Sequence, residues 1–368
     1  MMNPVILFIP VSSTKGVGEY TRSIILAEAL KAQIPDADIH FILNKHIDYG
    51  HTCPFNIHYS NHSATKDTPK VKKVLQKIQP DLVIFDCSGR SHQFAYAKAL
   101  GAKVIFISQH KKKRARGLKI RRLLNSDIHW VVQPDFAIMP LSYLERLKLK
   151  MLGKKPPKNI GPILPRITQE ESIKILKKHG LVSSEFFIFS AGSGGHKKND
   201  LLAADIFYQA AVEFHRKTNI KCVMVFGFNY LAVMPTDTSI LCIQYLPSAE
   251  FLTLLNEAKG RVISAGDTLL QTIELQKPSV AAAVSKDQPA RLDACAKFGL
   301  AKAAENNSRA LCDQAITLLN PKVYQAIEMR METTQPICGL DTAIADMKSL
   351  LKMAEGDCCL VHFSENEN

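Results

Sequence analysis

Short, wholly apolar runs alternate along this chain with longer segments in which apolar residues return every three or four positions. In the first part the runs are Val5–Val11, Ile39–Leu43, Phe55–Tyr59, Leu82–Asp86, Val104–Ser108 and His129–Gln133. Between them, residues 19–33, 68–78, 91–100 and 115–124 carry the helical period. Runs such as LVIF and KVIFIS have no polar face. A half-exposed strand would alternate, so these predict parallel strands covered on both sides. A second series follows, with runs at Phe186–Ser190, Cys222–Phe226, Ile240–Tyr245, Arg261–Ser264 and Ser279–Ala283. Its helical segments lie near 199–217 and at 248–257, 267–275 and 288–298. Strand and helix alternating in this way predict α/β architecture with open Rossmann-like sheets.

The series restarts after a proline-rich stretch. Pro140, Pro156, Pro157, Pro162 and Pro165 fall within 139–166, and each biases its predecessor away from helix. The predicted division is a Rossmann-like domain at 1–162, a second at 163–320, helices at 321–355 that can pack back on the first domain, and a disordered tail at 356–368. The 368 residues suit two domains, at about 100–200 residues each. Ligands of such sheets bind at the carboxyl ends of the strands.

Composition narrows the class. Hydrophobic residues at 46% and charged residues at 22% describe a globular chain and exclude a fibrous or wholly disordered one. No apolar run approaches the roughly 18 residues of a membrane span. The start MMNPVILFIPVSS lacks a basic region and a small-residue cleavage site, so it reads as a first core strand and not as a signal peptide. Nine scattered cysteines without a CxxC pair suggest neither a zinc ribbon nor a disulfide framework. Free thiols in a reducing cytoplasm fit better.

Three glycine-bearing clusters follow predicted strands. Ser12-Ser13-Thr14-Lys15-Gly16-Val17-Gly18-Glu19-Tyr20-Thr21-Arg22 opens the first helix. Gly16 and Gly18 allow a tight turn and close backbone approach, and a helix N-terminus offers free N–H groups to an anion. The segment lacks the third glycine of a dinucleotide fingerprint and the GK[ST] of a P-loop, so a plain strand-to-helix turn is the competing reading. Ser190-Ala191-Gly192-Ser193-Gly194-Gly195-His196-Lys197-Lys198 suits a diphosphate, against a flexible loop with solvated lysines. No second His or Cys stands at ligand spacing from His196, which argues against a metal site. The third cluster runs from Val262 to Pro278 and includes Ser264, Gly266, Asp267, Thr268 and Glu274; Asp287 and Gln288 follow at the end of the next strand.

This third stretch resembles the nucleotide-sugar-binding domain of GT-B glycosyltransferases, especially family 28, which includes the peptidoglycan N-acetylglucosaminyltransferase. A UDP-sugar hydrolase of pseudaminic acid synthesis has a related fold. The resemblance rests on Ser264, Gly266, Thr268, Glu274, Pro278, Asp287, Gln288 and Gly299. It implies that Glu274 holds the ribose, that Gly266 to Thr268 face the diphosphate, and that Asp287 and Gln288 contact the donor sugar. The loop Gly192, Ser193, Gly194, Gly195, His196 looks like a second diphosphate contact. Gly16, Gly18 and Arg22 match the family's N-terminal loop, an acceptor or phosphate contact. Glu19 stands where the family has a histidine, often its proposed base, and Asp267 replaces a common glycine. Glu19 is then either the base or a charge at the helix N-terminus. Asp86, ending the strand LVIFD, is a second candidate catalytic or acceptor-binding carboxylate; its alternative is a loop residue bonding backbone N–H groups.

Charge is unevenly placed. Residues 1–165 hold 26 Lys and Arg against 11 Asp and Glu, whereas residues 166–368 hold 21 against 23. Most of the excess lies at 111–158, with 14 basic and three acidic residues, led by Lys111, Lys112, Lys113, Arg114 and Arg116. Leucines from Leu141 to Leu152 add apolar contacts. Such a belt suits an anionic membrane surface or a lipid-linked acceptor, with a solvated face as the alternative. Nucleic acid fits poorly, because interleaved aromatics and a binding motif are missing.

These readings converge on a cytoplasmic glycosyltransferase, peripheral on the membrane, that uses a nucleotide sugar as donor, UDP-linked as the resemblance implies. No cofactor and no metal are expected, since helix N-termini and cations can stabilise a leaving diphosphate. A nucleotide-sugar hydrolase or epimerase of the same fold, and a non-catalytic binding subunit, are the alternatives.

Overall fold

A computed structural model describes residues 3–11, 18–47, 53–198, 201–236, 239–334 and 339–352. The first sheet is built from β1 (Val5–Pro10), β2 (Asp38–Asn44), β3 (Asn56–Ser60), β4 (Leu82–Asp86), β5 (Lys103–Ser108), β6 (Ile128–Val131) and β7 (Lys158–Asn159). Its seven strands are parallel and run in the order β3-β2-β1-β4-β5-β6-β7. Strand alternation divides its apolar residues between two cores. Ile6, Phe8, Ile39 and Phe41 enter one, Leu7, Ile9, Ile42 and Phe85 the other. That is why the strands read as continuous apolar runs.

Helix α1 (Gly18–Gln33) covers the first face through Ile25, Leu26 and Leu30. Helices α2 (Thr68–Ile78) and α3 (Ser91–Ala99) cover the other through Val71, Leu75, Phe94 and Ala97. The helix predicted at 115–124 is two helices, α4 (Lys111–Gly117) and α5 (Ile120–Leu124). The break has a packing cause. A Cβ on Gly117 would strike the His129 ring, so α4 ends close against β6. Within the proline-rich stretch the structure also forms a helix, α6 (Tyr143–Met151), started by a capping box in which Ser142 and Glu145 bond each other's backbone N–H groups.

After α7 (Gln169–Lys178) comes the second sheet: β8 (Phe186–Ser190), the hairpin strands β9 (Lys197–Lys198) and β10 (Leu201–Leu202) beside it, α8 (Ala203–Thr218), β11 (Lys221–Val225) and β12 (Ile240–Ile243). Then follow α9 (Ser248–Glu257), β13 (Gly260–Ser264), α10 (Asp267–Glu274), β14 (Ser279–Ala282), α11 (Pro289–Lys297), β15 (Lys302–Ala303) and α12 (Ser308–Thr317). Six parallel strands take the order β12-β11-β8-β13-β14-β15, the same winding as the first sheet. The direction in which successive strands are added reverses between β1 and β4 in one sheet and between β8 and β13 in the other.

The last two helices part company. In α13 (Pro321–Glu332), Ile327 and Met331 join the core of the second sheet. In α14 (Gly339–Leu350), Leu340, Ala343, Ile344 and Met347 form one helical face and join the core of the first. Trp130 Nε1 donates to Asp346 Oδ2 at 2.9 Å, and Lys158 Nζ pairs with Asp346 Oδ1 at 2.9 Å. The chain therefore crosses between domains twice, once in each direction. Among the described residues no helix is long and apolar enough to cross a membrane. The expected tail at 356–368 lies outside the described residues.

Candidate active site

Loops at the carboxyl ends of both sheets line one cleft of about 490 Å³. On the second-domain wall, β8 ends at Ser190 and β13 at Ser264, and both serines line the cleft. The loop after β8 turns at Gly192, whose φ of +84° suits glycine; a Cβ there would lie 2.9 Å from Ser264 Oγ. The loop after β11 fits against it: Asn229 N donates to Ser193 O at 2.7 Å, and a Cβ on Gly227, at φ +99°, would strike the Gly192 and Ser193 backbone. Close backbone approach thus fixes Gly192 and Ser193 beside the cleft.

Gly266 caps α10, so the helix presents its N-terminal N–H groups together with Asp267 and Thr268. Gln288 Oε1 accepts from Val284 N at 2.8 Å, which fixes the amide beside Gly266. Ser285 Oγ donates to Asp287 Oδ1 at 2.6 Å and holds the Asp287 carboxyl below its ordinary range. Arg291 donates to Ala265 O at 3.2 Å and lies 3.6 Å from Asp267 Oδ1. One end of the wall is apolar, with Phe228, Tyr245, Leu246 and Phe251; Phe228 and Tyr245 meet edge to face at 5.7 Å. His196 lines the cleft as well, anchored where its carbonyl accepts from Ala203 N. The first domain contributes Gly18, Gln109 and His110.

No family model matches this sequence, and no curated protein matches it. Solved structures do match over nearly the whole chain. The glycotransferase of kitacinnamycin aligns at TM-score 0.66 and 15% identity, covering 95% of this chain and 99% of that one. The glycosyltransferase VinC in complex with dTDP aligns at TM-score 0.63 and 12% identity, covering 95% and 98%. A putative UDP-N-acetylglucosamine 2-epimerase from Listeria monocytogenes aligns at TM-score 0.60 and 14% identity, covering 96% and 98%. The fold is GT-B.

In this GT-B chain, Gly192, Ser193, His196, Ser264, Gly266, Asp267, Thr268, Asp287 and Gln288, expected from the sequence to bind a donor, come together on one wall. Three others stand apart. Gly194 and Gly195 pack toward Tyr230 and Asn229, and neither lines the cleft. Glu274 ends α10, two turns from Asp267, and is not part of the wall. Burial pushes its carboxyl up to about 8.

The first-domain candidates are corrected more sharply. Asp86 does not face the cleft: it is 0% exposed, and Arg22 grips both its oxygens, Nε to Oδ2 at 2.9 Å and Nη2 to Oδ1 at 2.6 Å. Arg22 is thereby buried and committed, and is not a free anion contact. Glu19 is tied to Lys113 Nζ at 2.7 Å, with its side chain 15% exposed, and does not line the cleft. Burial raises the Glu19 carboxyl, but Lys113 and Arg22 outweigh it and hold it below its ordinary value. Gly18 does line the cleft; Gly16 lies outside the described residues.

The basic belt also divides. Lys111, Lys112 and Arg116 are exposed. Lys113 is spent on Glu19, and buried Arg114 donates to Met139 O at 2.6 Å and Pro140 O at 3.3 Å. On α6, whose Lys148 Nζ reaches Leu118 O just past the end of α4 at 3.4 Å, Tyr143, Leu144 (73% exposed), Leu147 and Met151 (78% exposed) are exposed as well. The sequence reading missed Arg291, Gln109, His110 and the aromatic wall. Arg291 was within reach, since it sits about one helical turn after Gln288. Gln109, His110, Phe228 and Tyr245 lie in loops and Phe251 on α9, which only the tertiary fold brings to the cleft.

Proposed function

We propose that this chain transfers a sugar from a UDP-linked donor to an acceptor hydroxyl. The observation that carries this reading is the anion-binding wall at the second reversal point. Gly192 and Ser193 backbone, the N-terminus of α10 and Arg291 converge there, with an aromatic wall beside them to receive a nucleobase. Asp287 and Gln288 are the polar groups for the sugar. Arg291 and the helix N-terminus neutralise the leaving diphosphate without a bound metal. The similar structures include a glycosyltransferase bound to dTDP and a putative epimerase named for a UDP-sugar, which supports a nucleoside-diphosphate sugar as ligand.

The acceptor side of the reading is a lipid-linked glycan at an anionic membrane surface, in envelope or surface polysaccharide synthesis. Its support is the apolar face of α6 beside Lys111, Lys112 and Arg116.

Calorimetry and thermal unfolding with UDP-glucose and UDP-N-acetylglucosamine test the donor. A sugar present at 100 times its Kd adds about 2.7 kcal/mol of stability. No shift with any nucleotide sugar would overturn the reading. The tie between Glu19 and Lys113, together with the likeness to an epimerase, favours one second reading, a nucleotide-sugar hydrolase or epimerase. Release of UDP and free sugar without any acceptor would select hydrolysis.

A further inference from the structure

We propose that His110 is the catalytic base of this cleft, taking the proton from the acceptor hydroxyl. The inference rests on the transferase reading above and assigns a residue that the sequence pattern does not. Among the described residues, the first-domain wall consists of Gly18, Gln109 and His110, and His110 alone of these carries a titratable side chain. The nearby carboxylates are occupied. Asp86 is fully buried under Arg22, and Glu19 is held by Lys113. His196 lies on the second-domain wall, in the loop assigned above to the donor diphosphate.

The position of His110 is well determined. It follows the last turn out of β5 and caps α4 in extended conformation (φ −140°, ψ 167°), its carbonyl accepting from Arg114 N at 2.9 Å. Lys113 and Arg114 pin α4 to α1 and to the Met139 carbonyl, so the imidazole is carried by a fixed element. Across the cleft lie Asp287, at the sugar end of the donor wall, and Arg291, both close enough to act on its charge.

The surroundings favour the neutral ring that a base must have. Burial lowers its affinity for a proton, Lys113, Arg116 and Arg291 add repulsion, and Asp287 opposes them; the net direction is below the ordinary 6.5. In the transfer, the acceptor O–H proton passes to the imidazole nitrogen and the oxygen lone pair forms the bond to the anomeric carbon. The bond from that carbon to the diphosphate oxygen breaks, and its electron pair leaves with UDP. Asp287, ionised across the cleft, then faces the imidazolium.

The test uses the full chain and the UDP-sugar that stabilises it, with UDP release as the rate and calorimetry as the donor affinity. His110→Gln and His110→Ala should lower kcat by at least about 100-fold, with donor Kd within about twofold, which also reports intact folding. The acid limb of the wild-type kcat/KM profile, lying below the ordinary histidine value of about 6.5, should vanish in His110→Gln. A variant that turns over at the wild-type rate with the same acid limb would overturn the assignment while leaving the donor site standing. Failure of the unaltered chain to bind any UDP-sugar would overturn the proposed function, and the role of His110 with it.

Discussion

Arg22 and Asp86 form a two-pronged pair at the reversal point of the first sheet, with donor–acceptor distances of 2.9 and 2.6 Å and Asp86 wholly out of solvent. Pro10 is opposite Asp86 in the register, so the pair ties α1 to the ends of β1 and β4. Burial works against both charges: at Arg22 the carboxylate outweighs it, whereas Asp86 stays above its ordinary value despite the guanidinium. Removing one leaves the other buried and unpaired. Arg22→Met should therefore destabilise the first domain by about 3–5 kcal/mol, and Arg22→Met with Asp86→Leu by much less. Denaturant unfolding of the three proteins measures both.

Glu19 and Lys113 supply a pH signature. Glu19 is depressed below 4.5, so its contribution is full above that value and is lost as pH falls through the lower folded value. Lys113 is raised above 10.5, so its contribution is full below that value and is lost as pH rises through the folded value. The Lys113→Met variant should unfold at a lower temperature than wild type near neutral pH. The gap should narrow below about pH 4. A constant gap across that range would contradict the pairing.

Glu274 has the opposite sign. Its folded carboxyl titrates at about 8, so the folded chain keeps a proton that the unfolded chain has lost above 4.5. Wild type should lose stability as pH rises through that interval, by up to about 1.4 kcal/mol per unit. Glu274→Gln removes the slope and should unfold later than wild type above pH 8. Because Glu274 is off the cleft wall, UDP-sugar affinity should be unchanged in that variant; a large loss in calorimetry would return the ribose contact to it.

Arg291 and Asp267 compete over the same place. A diphosphate at the N-terminus of α10 meets the Arg291 guanidinium but also the Asp267 carboxylate, 3.6 Å from it. Arg291→Ala should weaken UDP binding by about 10–100-fold, the scale of a charge-assisted hydrogen bond. Asp267→Asn should strengthen it several-fold. Titration with UDP alone separates these effects from the sugar and the acceptor.

The exposed belt predicts membrane affinity. Changing Lys111, Lys112 and Arg116 to Glu should reduce partition onto vesicles of phosphatidylglycerol and phosphatidylcholine by about 100-fold or more, at about 1 kcal/mol per charge removed. Leu144→Ser with Met151→Ser tests the apolar part in the same sedimentation assay. Binding unaltered by either set would leave the face merely solvated.

Periodicity found the sheet strands except the short edge strands β7 and β15, and most helices, because strands covered on both sides must be apolar throughout, and surface helices must be apolar on one side. Residues 68–78, 248–257 and Phe186–Ser190 are elements with the boundaries read from the sequence. Helix α6 was missed where the prolines drew attention, although Ser142 and Glu145 carry a local start signal. The break between α4 and α5 has a nonlocal cause, the His129 ring against Gly117.

The sequence by itself determined the α/β class, the strand order's raw material and most of the second-domain wall of the cleft. Those features depend on local turns, helix starts and residues close together in the chain. Only the tertiary structure decided which charges were free. Asp86 and Arg22 are 64 positions apart, and Glu19 and Lys113 are 94 apart, yet each pair consumes the chemistry that motif position suggested. His110 reaches the cleft for the same reason: strand winding places the end of β5 opposite β14, and no local pattern encodes that distance.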